Sequence, residues 1–325
     1  MAQTSRDIAR LGKELTVALE WLLDSDPSIR WQAMRDLTPS SPDEVAAARA
    51  HVASDGWGAA LLDRQRPDGH WGDGVAVPHW RANLYTLLAL RSFGVDPQDA
   101  RVRQAIARTR DSVTWGPEFN NTRFFDGEVE PCINGGVLAL GGYFGVPSAA
   151  LAGRLVAEQL ADGGWNCDAE RGATRSSFHT TICVLEGLME YERAAGATTA
   201  VTDARTRAHE YLLERHLFRR LSSGAPIAPR KGRHALPPWT EFTFPSMWQY
   251  DILRGLDYFR SAGVEPDARM NEAVAVVAER RQPDGRWLLD HRPRDGFDAG
   301  LEEAPGQPSR WITLRALRVL DWFRA

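Results

Sequence analysis

The helical segments of this chain come in two kinds, and the kinds alternate. One kind is apolar on most sides and often opens on an aromatic residue: HWRANLYTLLALRSFG, CINGGVLALGGYFG, SSFHTTICVLEGLMEYERAAG, PSMWQYDILRGLDYFRSAG and PSRWITLRALRVLDWFRA. The other is amphipathic and rich in Arg and Glu, as in DARVRQAIARTRDSV and DARMNEAVAVVAERR. A helix apolar all round must be buried on every side, whereas one with a charged face lies at the surface. Strict alternation of the two predicts an inner ring of helices wrapped by an outer ring, a repeat architecture closed on itself. Strand alternation is nearly absent, so the fold class is all-α. Helices are expected near 5–24, 43–65, 79–93, 97–113, 132–144, 148–160, 176–195, 203–221, 245–262, 267–281 and 309–323, with a further one starting after Asp26-Pro27. Asp can cap that helix and Pro can begin its first turn.

A second pattern marks the joints. RQRPDGHW holds Gln65, Gly69 and Trp71, and EQLADGGW holds Gln159, Gly163 and Trp165. Both read Gln-x-x-x-Gly-x-Trp and fall where an outer helix ends and the chain turns inward. Glycine supplies the left-handed conformation that stops a helix. The tryptophan is placed to stack on the Gln amide and tie one hairpin to the next. A third copy, RRQPDGRW, keeps Gly285 and Trp287 but has Arg281 at the Gln position.

These joints resemble the QW repeats of the squalene-hopene and oxidosqualene cyclases. The alternating helices resemble the α/α toroid that those enzymes share with protein prenyltransferase β subunits. The resemblance covers roughly residues 40–325 and implies one toroid, residues 41–325, with residues 1–40 as an N-terminal helical segment packed on it. It speaks for fold more than for chemistry. The Asp-x-Asp-Asp acid of class II cyclases has no counterpart here. The nearest stretch, Asp24-Ser25-Asp26-Pro27, lacks the last Asp, and no Asp-Asp-x-x-Asp is present.

A closer local match is to the zinc site of the prenyltransferase β subunits, where an Asp-x-Cys pair opens one inner helix and a His opens the next. Here Glu130-Pro131-Cys132 opens one inner helix, and GGWNCDAERGATRSSFHTTICVLEGL leads into the next, with His179 at the matching His. The resemblance implies zinc. Cys132, Cys167 on the feeding loop, and His179 would point into the same end of a central cavity. Catalytic zinc takes three such ligands and leaves a position open. Glu130 or Asp168 is a fourth ligand or a partner orienting His179, and Cys183, one turn past His179, is the substitute if Cys167 points away. The segment NNTRFFDGEVE offers Arg123 with Asp126, Glu128 and Glu130, an acidic approach that repels a prenyl diphosphate. Free cysteines and a helix-start histidine also read as packed, inert residues.

Asp251, beside Trp248 and Tyr250, is a candidate proton donor in an aromatic cavity; the competing reading has it pairing with Arg254 or capping amides. Trp80, Phe178, Trp248, Tyr250 and Trp311 are candidates to line an apolar, substrate-binding cavity, or else core. His79, Glu302 and Glu303 fall near the same rim. Segments 222–244 and 288–308 read as irregular loops able to cover the cavity mouth. A net charge of −4 favours neither nucleic acid nor an anionic membrane, and the basic run Arg230 to His234 reads as a solvated loop. No stretch could span a bilayer, and the first 25 residues lack a signal-peptide core, so a cytoplasmic protein is expected. The leading reading is an enzyme with cyclase- or transferase-like chemistry on a small, largely apolar molecule. The alternative is a toroid that binds a ligand or partner without metal or catalysis. Neither the substrate nor the oligomeric state is legible.

Overall fold

The structure, a computed structural model, describes residues 16–72, 79–228, 236–293, 297, 300–301 and 303–324, and of His79 the backbone alone. Among them are twelve α-helices: α1 (Pro27–Leu37), α2 (Pro42–Ala50), α3 (Gly56–Asp63), α4 (His79–Phe93), α5 (Ala100–Ser112), α6 (Pro131–Tyr143), α7 (Ala149–Ala157), α8 (Phe178–Ala195), α9 (Thr199–Leu213), α10 (Ile252–Ser261), α11 (Asn271–Glu279) and α12 (Arg310–Trp322). Residues 16–23 are also helical. The two kinds of helix separate by burial. All eight residues from Ile252 to Phe259 of α10 are buried. In α5 only the stripe Val102, Ala105, Ile106 and Thr109 is buried, the spacing of a helix with one face on the core.

The inner helices close a ring. The Trp31 indole of α1 donates to the Phe93 carbonyl of α4 (2.9 Å), and the Gln32 amide donates to Ser92 (3.0 Å). Helix α4 packs on α6 and α6 on α8. The Arg254 guanidinium of α10 meets Glu186 of α8 at 2.8 Å. Arg318 of α12 donates to Asp257 of α10 (2.7 Å) and to Gln32 of α1 (3.1 Å). The fold is therefore an all-α, α/α toroid. Helix α1 thus stands between α12 and α4 through these contacts. The segment packed on the outside is 16–23, where Trp21 lies between the guanidinium groups of Arg286 and Arg310 at 4.2 and 4.6 Å. Asp26 does cap α1, accepting from the Ser28 amide (2.8 Å).

The contact between α6 and α8 is made by glycine. A Cβ on Gly135 would lie 2.5 Å from the Cys183 carbonyl carbon, one on Gly142 2.4 Å from the Glu190 oxygen, and one on Gly187 2.4 Å from the Gly135 oxygen. The two backbones touch because no side chain stands between them.

The joints share one geometry. Trp71, Trp165 and Trp287 each donate their indole N–H to a carbonyl ten residues earlier, those of Leu61, Leu155 and Val277, at 2.6–2.8 Å. Their backbone amides donate to Asn83, Thr181 and Thr313 of the following inner helix. The tie between hairpins is the Gln amide, not the indole: Gln65 donates to Ala105 of α5 and Gln159 to Ala204 of α9. Gly69 and Gly163 need a positive φ of 84° and 93°, and a Cβ on either would lie 2.7 or 2.6 Å from the carbonyl oxygen of Arg108 or Arg207.

Two expected helices break. The one at 43–65 divides near Gly56, whose φ of 64° brings its backbone against Asp26, the acceptor for the Trp57 amide (2.8 Å). The one at 245–262 begins only at Ile252, because Met247 has a positive φ and Asp251 stands in extended conformation as the cap. Trp248 and Tyr250 therefore lie in an entry loop, not in a helix.

Two glycine substitutions separate packing from propensity. Gly135→Ala forces the α6 and α8 backbones apart and is expected to lower unfolding free energy by about 1–3 kcal/mol or more. Gly153→Ala, helical and with nothing within 4 Å of the new Cβ, is expected to raise it by about 0.5–1 kcal/mol. Denaturant titrations of both variants check the pair.

Candidate functional site

Residues of the first turns of α4, α6 and α8 line one end of the central channel, here the N-terminal end, and residues of the last turns of α4, α6, α8 and α10 line the other. The channel holds two chambers, of about 520 Å³ at the N-terminal end and about 830 Å³ at the C-terminal end. Leu88, Glu186, Met247 and Arg254 line both and form the waist between them.

The N-terminal chamber is built by the junction that precedes α8 and by the turn that precedes α6. Asn134 clamps that turn: its side chain accepts from the Glu128 amide (2.7 Å) and donates to the Glu128 carbonyl (2.9 Å). Arg154 donates to the carbonyls of Glu128 and Val129. Held in this way, Glu130 stands just before α6 and Cys132 in its first turn. Cys167 arrives from the other side on a turn in which Asn166 accepts from the Asp168 amide (2.9 Å), and its Sγ lies 3.4 Å from the Thr180 hydroxyl. The Sγ atoms of Cys132 and Cys167 and a carboxylate oxygen of Glu130 all lie within 4.8 Å of one another.

The electrostatics of this group follow from burial and crowding. Hydrogen bonding between the thiols, together with burial, pushes Cys132 well above the ordinary thiol range. The same hydrogen bond holds Cys167 below it, against burial. Burial raises Glu128, although the amides of Val129 and Glu130 donate to it.

His179 lines the same chamber but stands outside this group. Its Nδ1 accepts the Tyr250 amide at 2.8 Å, and burial, then the charge of Arg254, lowers its pKa from 6.5 to about 4. A neutral imidazole whose Nδ1 accepts must carry its proton on Nε2. Metal-binding histidines do the reverse, donating one nitrogen to the protein and offering the other's lone pair. His179 is thus a hydrogen-bond donor toward the chamber, and the expected Cys132, Cys167 and His179 set gives way to Glu130, Cys132 and Cys167. Asp168 pairs with Arg171 at 2.9 Å. Cys183 is buried one turn deeper, with Trp248 O and Arg254 each 3.7 Å from its sulfur, and burial pushes its thiol up to about 11.

The other expected site residues divide. Trp80 and Trp248 line the N-terminal chamber, with Trp80 tilted on Trp115 (5.3 Å) and Trp248 edge-on to His179 (5.3 Å). Phe178 and Tyr250 line neither chamber. They pack on each other and on Trp239 in the core, and the Tyr250 hydroxyl donates to Leu217 O (2.8 Å). Trp311 belongs to the opposite chamber, stacked on Phe244 at 4.3 Å. Asp251 also lines neither: its carboxylate accepts the amides of Arg254 (2.8 Å) and Thr243 (3.3 Å). Burial raises its pKa. Glu303 accepts the Arg310 amide at the start of α12 (2.6 Å). The side chain of His79, Glu302 and the run Arg230 to His234 lie outside the described residues.

The sequence reading missed Trp115 and Phe119, which arrive on the loop after α5, and the Glu186–Arg254 pair at the waist. Glu186 lies seven residues after His179, two turns along the same helix face, and that spacing is the signal that would have found it. Parts of both long loops reach this chamber: Leu236 lines it, and Phe297 contacts Tyr85 in its wall (5.8 Å). No helix among the described residues is long and apolar enough to cross a membrane.

No protein-family profile matches the sequence, and no curated protein matches it. Solved structures similar to it include the type II terpene cyclase MstE from Scytonema without ligand, at 18% identity over 96% of this chain and 97% of that chain, with a TM-score of 0.46. A variant of that protein bound to its substrate, geranylgeranyl dihydroxybenzoate, is similar at 17% identity over 97% and 98% of the two chains, with a TM-score of 0.45. Another variant, bound to the product merosterolic acid A, is similar at 17% identity over 98% of each chain, with a TM-score of 0.46.

The lowered pKa of His179 has a signed consequence. The unfolded chain takes up this proton near pH 6.5 and the folded one only near 4, so stability is complete above the first value and falls as pH drops toward the second. The loss is on the order of 3 kcal/mol across that window. His179→Asn keeps an acceptor for the Tyr250 amide without a titrating group. Denaturant titrations from pH 7 to 4 are expected to show a shallower decline for that variant than for the wild type.

Proposed function

We propose that this toroid is an enzyme whose N-terminal chamber receives a small, largely apolar molecule beside a zinc ion held by Glu130, Cys132 and Cys167. The observation that carries the reading is the convergence of one carboxylate and two thiols within 4.8 Å on the wall of a chamber lined by Trp80, Trp115 and Trp248. Zinc bonds of about 2.0–2.3 Å to oxygen and sulfur put neighbouring ligands of a tetrahedron well inside that separation. Two soft sulfurs and one carboxylate suit zinc and leave its fourth position open. Arg81 and Arg254 also line this chamber, but Glu128 and Glu130 form no ion pair among the described residues, so the carboxylate of the cluster is left without a paired cation. When bound, the ion would keep both thiols ionised and act as a Lewis acid toward a thiol, carbonyl or water in the open position.

The chain's own groups have separable parts in this reading. The tryptophans remove apolar surface from water and offer their faces to positive charge. His179, neutral and protonated on Nε2, donates a hydrogen bond to an oxygen of the bound molecule. The Glu186–Arg254 pair closes the floor. Asp251 has no part, since both its oxygens serve backbone amides. The reaction class is cyclase- or transferase-like. A binding toroid without metal is the rival, and it leaves the paired thiols without a role.

Zinc content after purification without a chelating tag tests the reading. About one equivalent per chain is expected, falling below about a tenth in Cys132→Ser and in Cys167→Ser, and retained in His179→Asn. Thiol titration is expected to find Cys132 and Cys167 protected until a chelator is added. Three thiols with no chelator dependence, together with no zinc in the wild type, would sink the site and leave the binding toroid.

A further inference from the structure

The C-terminal chamber carries the opposite charge. Eight arginines line it, against the carboxylates of Asp96, Glu186, Glu190 and Asp257. Two of the eight serve main-chain carbonyls at helix ends: Arg49 donates to Gly94 O (2.8 Å) beyond α4, and Arg193 to Ser261 O at the end of α10, while also pairing with Glu190 at 3.1 Å. Asp96 accepts the Gln98 amide (2.9 Å). That leaves Arg35, Arg91, Arg254, Arg260, Arg315 and Arg318 around four acids, Asp36, Glu186, Glu190 and Asp257. Bonds to the main chain cancel no charge, so with Arg49, Arg193 and Asp96 included eight cations face five anions, an excess of three positive charges around one cavity.

Three of these cations crowd a single carboxylate. Arg260, Arg315 and Arg318 all pair with Asp257. Burial and the neighbouring Arg318 hold both Arg260 and Arg315 below the ordinary guanidinium range. Two buried donors that line the chamber have no acceptor among the described residues: Arg91 Nε and Trp311 Nε1. Buried N–H groups are almost always paired, and each exception asks for a partner. Side-chain exposure falls from 44% at Arg35 to 5% at Arg254, so the lining runs from solvent to the waist and a ligand can enter.

We propose that the C-terminal chamber is a binding site for a small organic dianion, a phosphate ester or a dicarboxylate. Guanidinium groups fixed in place give such an oxyanion paired, charge-assisted hydrogen bonds. Arg35 and Arg49 are held over the Trp31 ring at 4.7 and 5.1 Å, and Arg315 over Phe244 at 5.6 Å. Trp31 and Phe244 also line the chamber and can cover the carbon part of the ligand. A dianion would cancel most of the excess charge and give the unpaired donors acceptors. The site is separate from the zinc reading, and neither depends on the other.

Thermal unfolding and isothermal titration of the full chain test this with inorganic phosphate and succinate as probes, against sodium chloride at equal ionic strength. Either dianion is expected to raise the midpoint at millimolar concentration where chloride does not, and the stronger of the two tells an ester from a dicarboxylate. Arg260→Gln relieves the crowding at Asp257, so it is expected to match or exceed the wild-type midpoint in chloride while binding the probe about tenfold more weakly. Arg35→Gln, at the solvent end, is expected to weaken binding in the same direction. Cys132→Ser is expected to bind the dianion as the wild type does. The proposal falls if chloride stabilises as well as phosphate and succinate do. It also falls if Arg260→Gln and Arg35→Gln both keep the wild-type response.

Discussion

A helix that is apolar on nearly every side has no face to give to water, and the rest of this structure follows from that constraint. Each inner helix needs a neighbour on both flanks, an outer helix behind it, and a channel in front. A closed ring satisfies all of them at once. Closure falls to α1, which bridges α12 and α4 through Gln32, Trp31 and Arg318. It also demands that neighbouring inner helices approach closely, and between α6 and α8 the demand is met by removing side chains altogether at Gly135, Gly142 and Gly187.

The shared direction of α4, α6 and α8 polarises the channel. Their N-terminal amides meet at one end and their C-terminal carbonyls at the other, each end carrying partial charge of one sign. The side chains answer that field: acids and thiols gather at the N-terminal end, and arginines at the C-terminal end. The sign of each chamber is thus partly inherited from the fold. What the fold does not explain is the excess. Arginines serving helix ends would be bonded to carbonyls, as Arg49 and Arg193 are, and would not crowd three deep on Asp257. Where the two fields meet, at the waist, Glu186 and Arg254 neutralise each other. Burial alone would raise Glu186, but Arg254 and Arg91 outweigh it and hold it ionised.

The ring was legible in the sequence because its cause is compositional: all-round apolarity alternating with one-sided apolarity. The joints were legible because Gly69, Gly163 and Gly285 each need a positive φ that few other residues tolerate. Helix starts were less so. Asp251 reads as a member of a continuous apolar helix until its side chain is seen to accept the Arg254 amide, and with that cap in place Trp248, Tyr250 and Asp251 all leave the positions that periodicity assigns them. The site was half legible. Cys132 and Cys167 stand where helix-start logic puts them. The orientation of His179 depends on the Tyr250 amide, 71 residues away, and no local pattern encodes it. The arginine chamber was missed because its members are scattered over α1, α4, α10 and α12, each one ordinary on its own helix.

The repeated joints offer an internal control on what is architecture and what is chemistry. The second and third copies differ at the Gln position, Gln159 against Arg281, but share every hydrogen bond of the tryptophan. Trp165 and Trp287 send their indoles to an outer helix, and their amides to Thr181 and Thr313. Their carbonyls accept from Ser177 and Ser309, the residues just before α8 and α12. Two residues after the tryptophan the copies part. The third copy has Leu289, 1% exposed and part of the core, whereas the second has Cys167, half-buried and turned to the chamber. A leucine suffices for the joint, so the fold makes no demand for sulfur there. The same comparison applies to the first turn of the inner helices, where Trp311 in α12 is a buried aromatic stacked on Phe244 and Cys132 in α6 is a thiol facing the N-terminal chamber. Two departures from the repeat, on elements far apart in sequence, converge on one point beside Glu130. Architecture accounts for everything about the joint except that convergence.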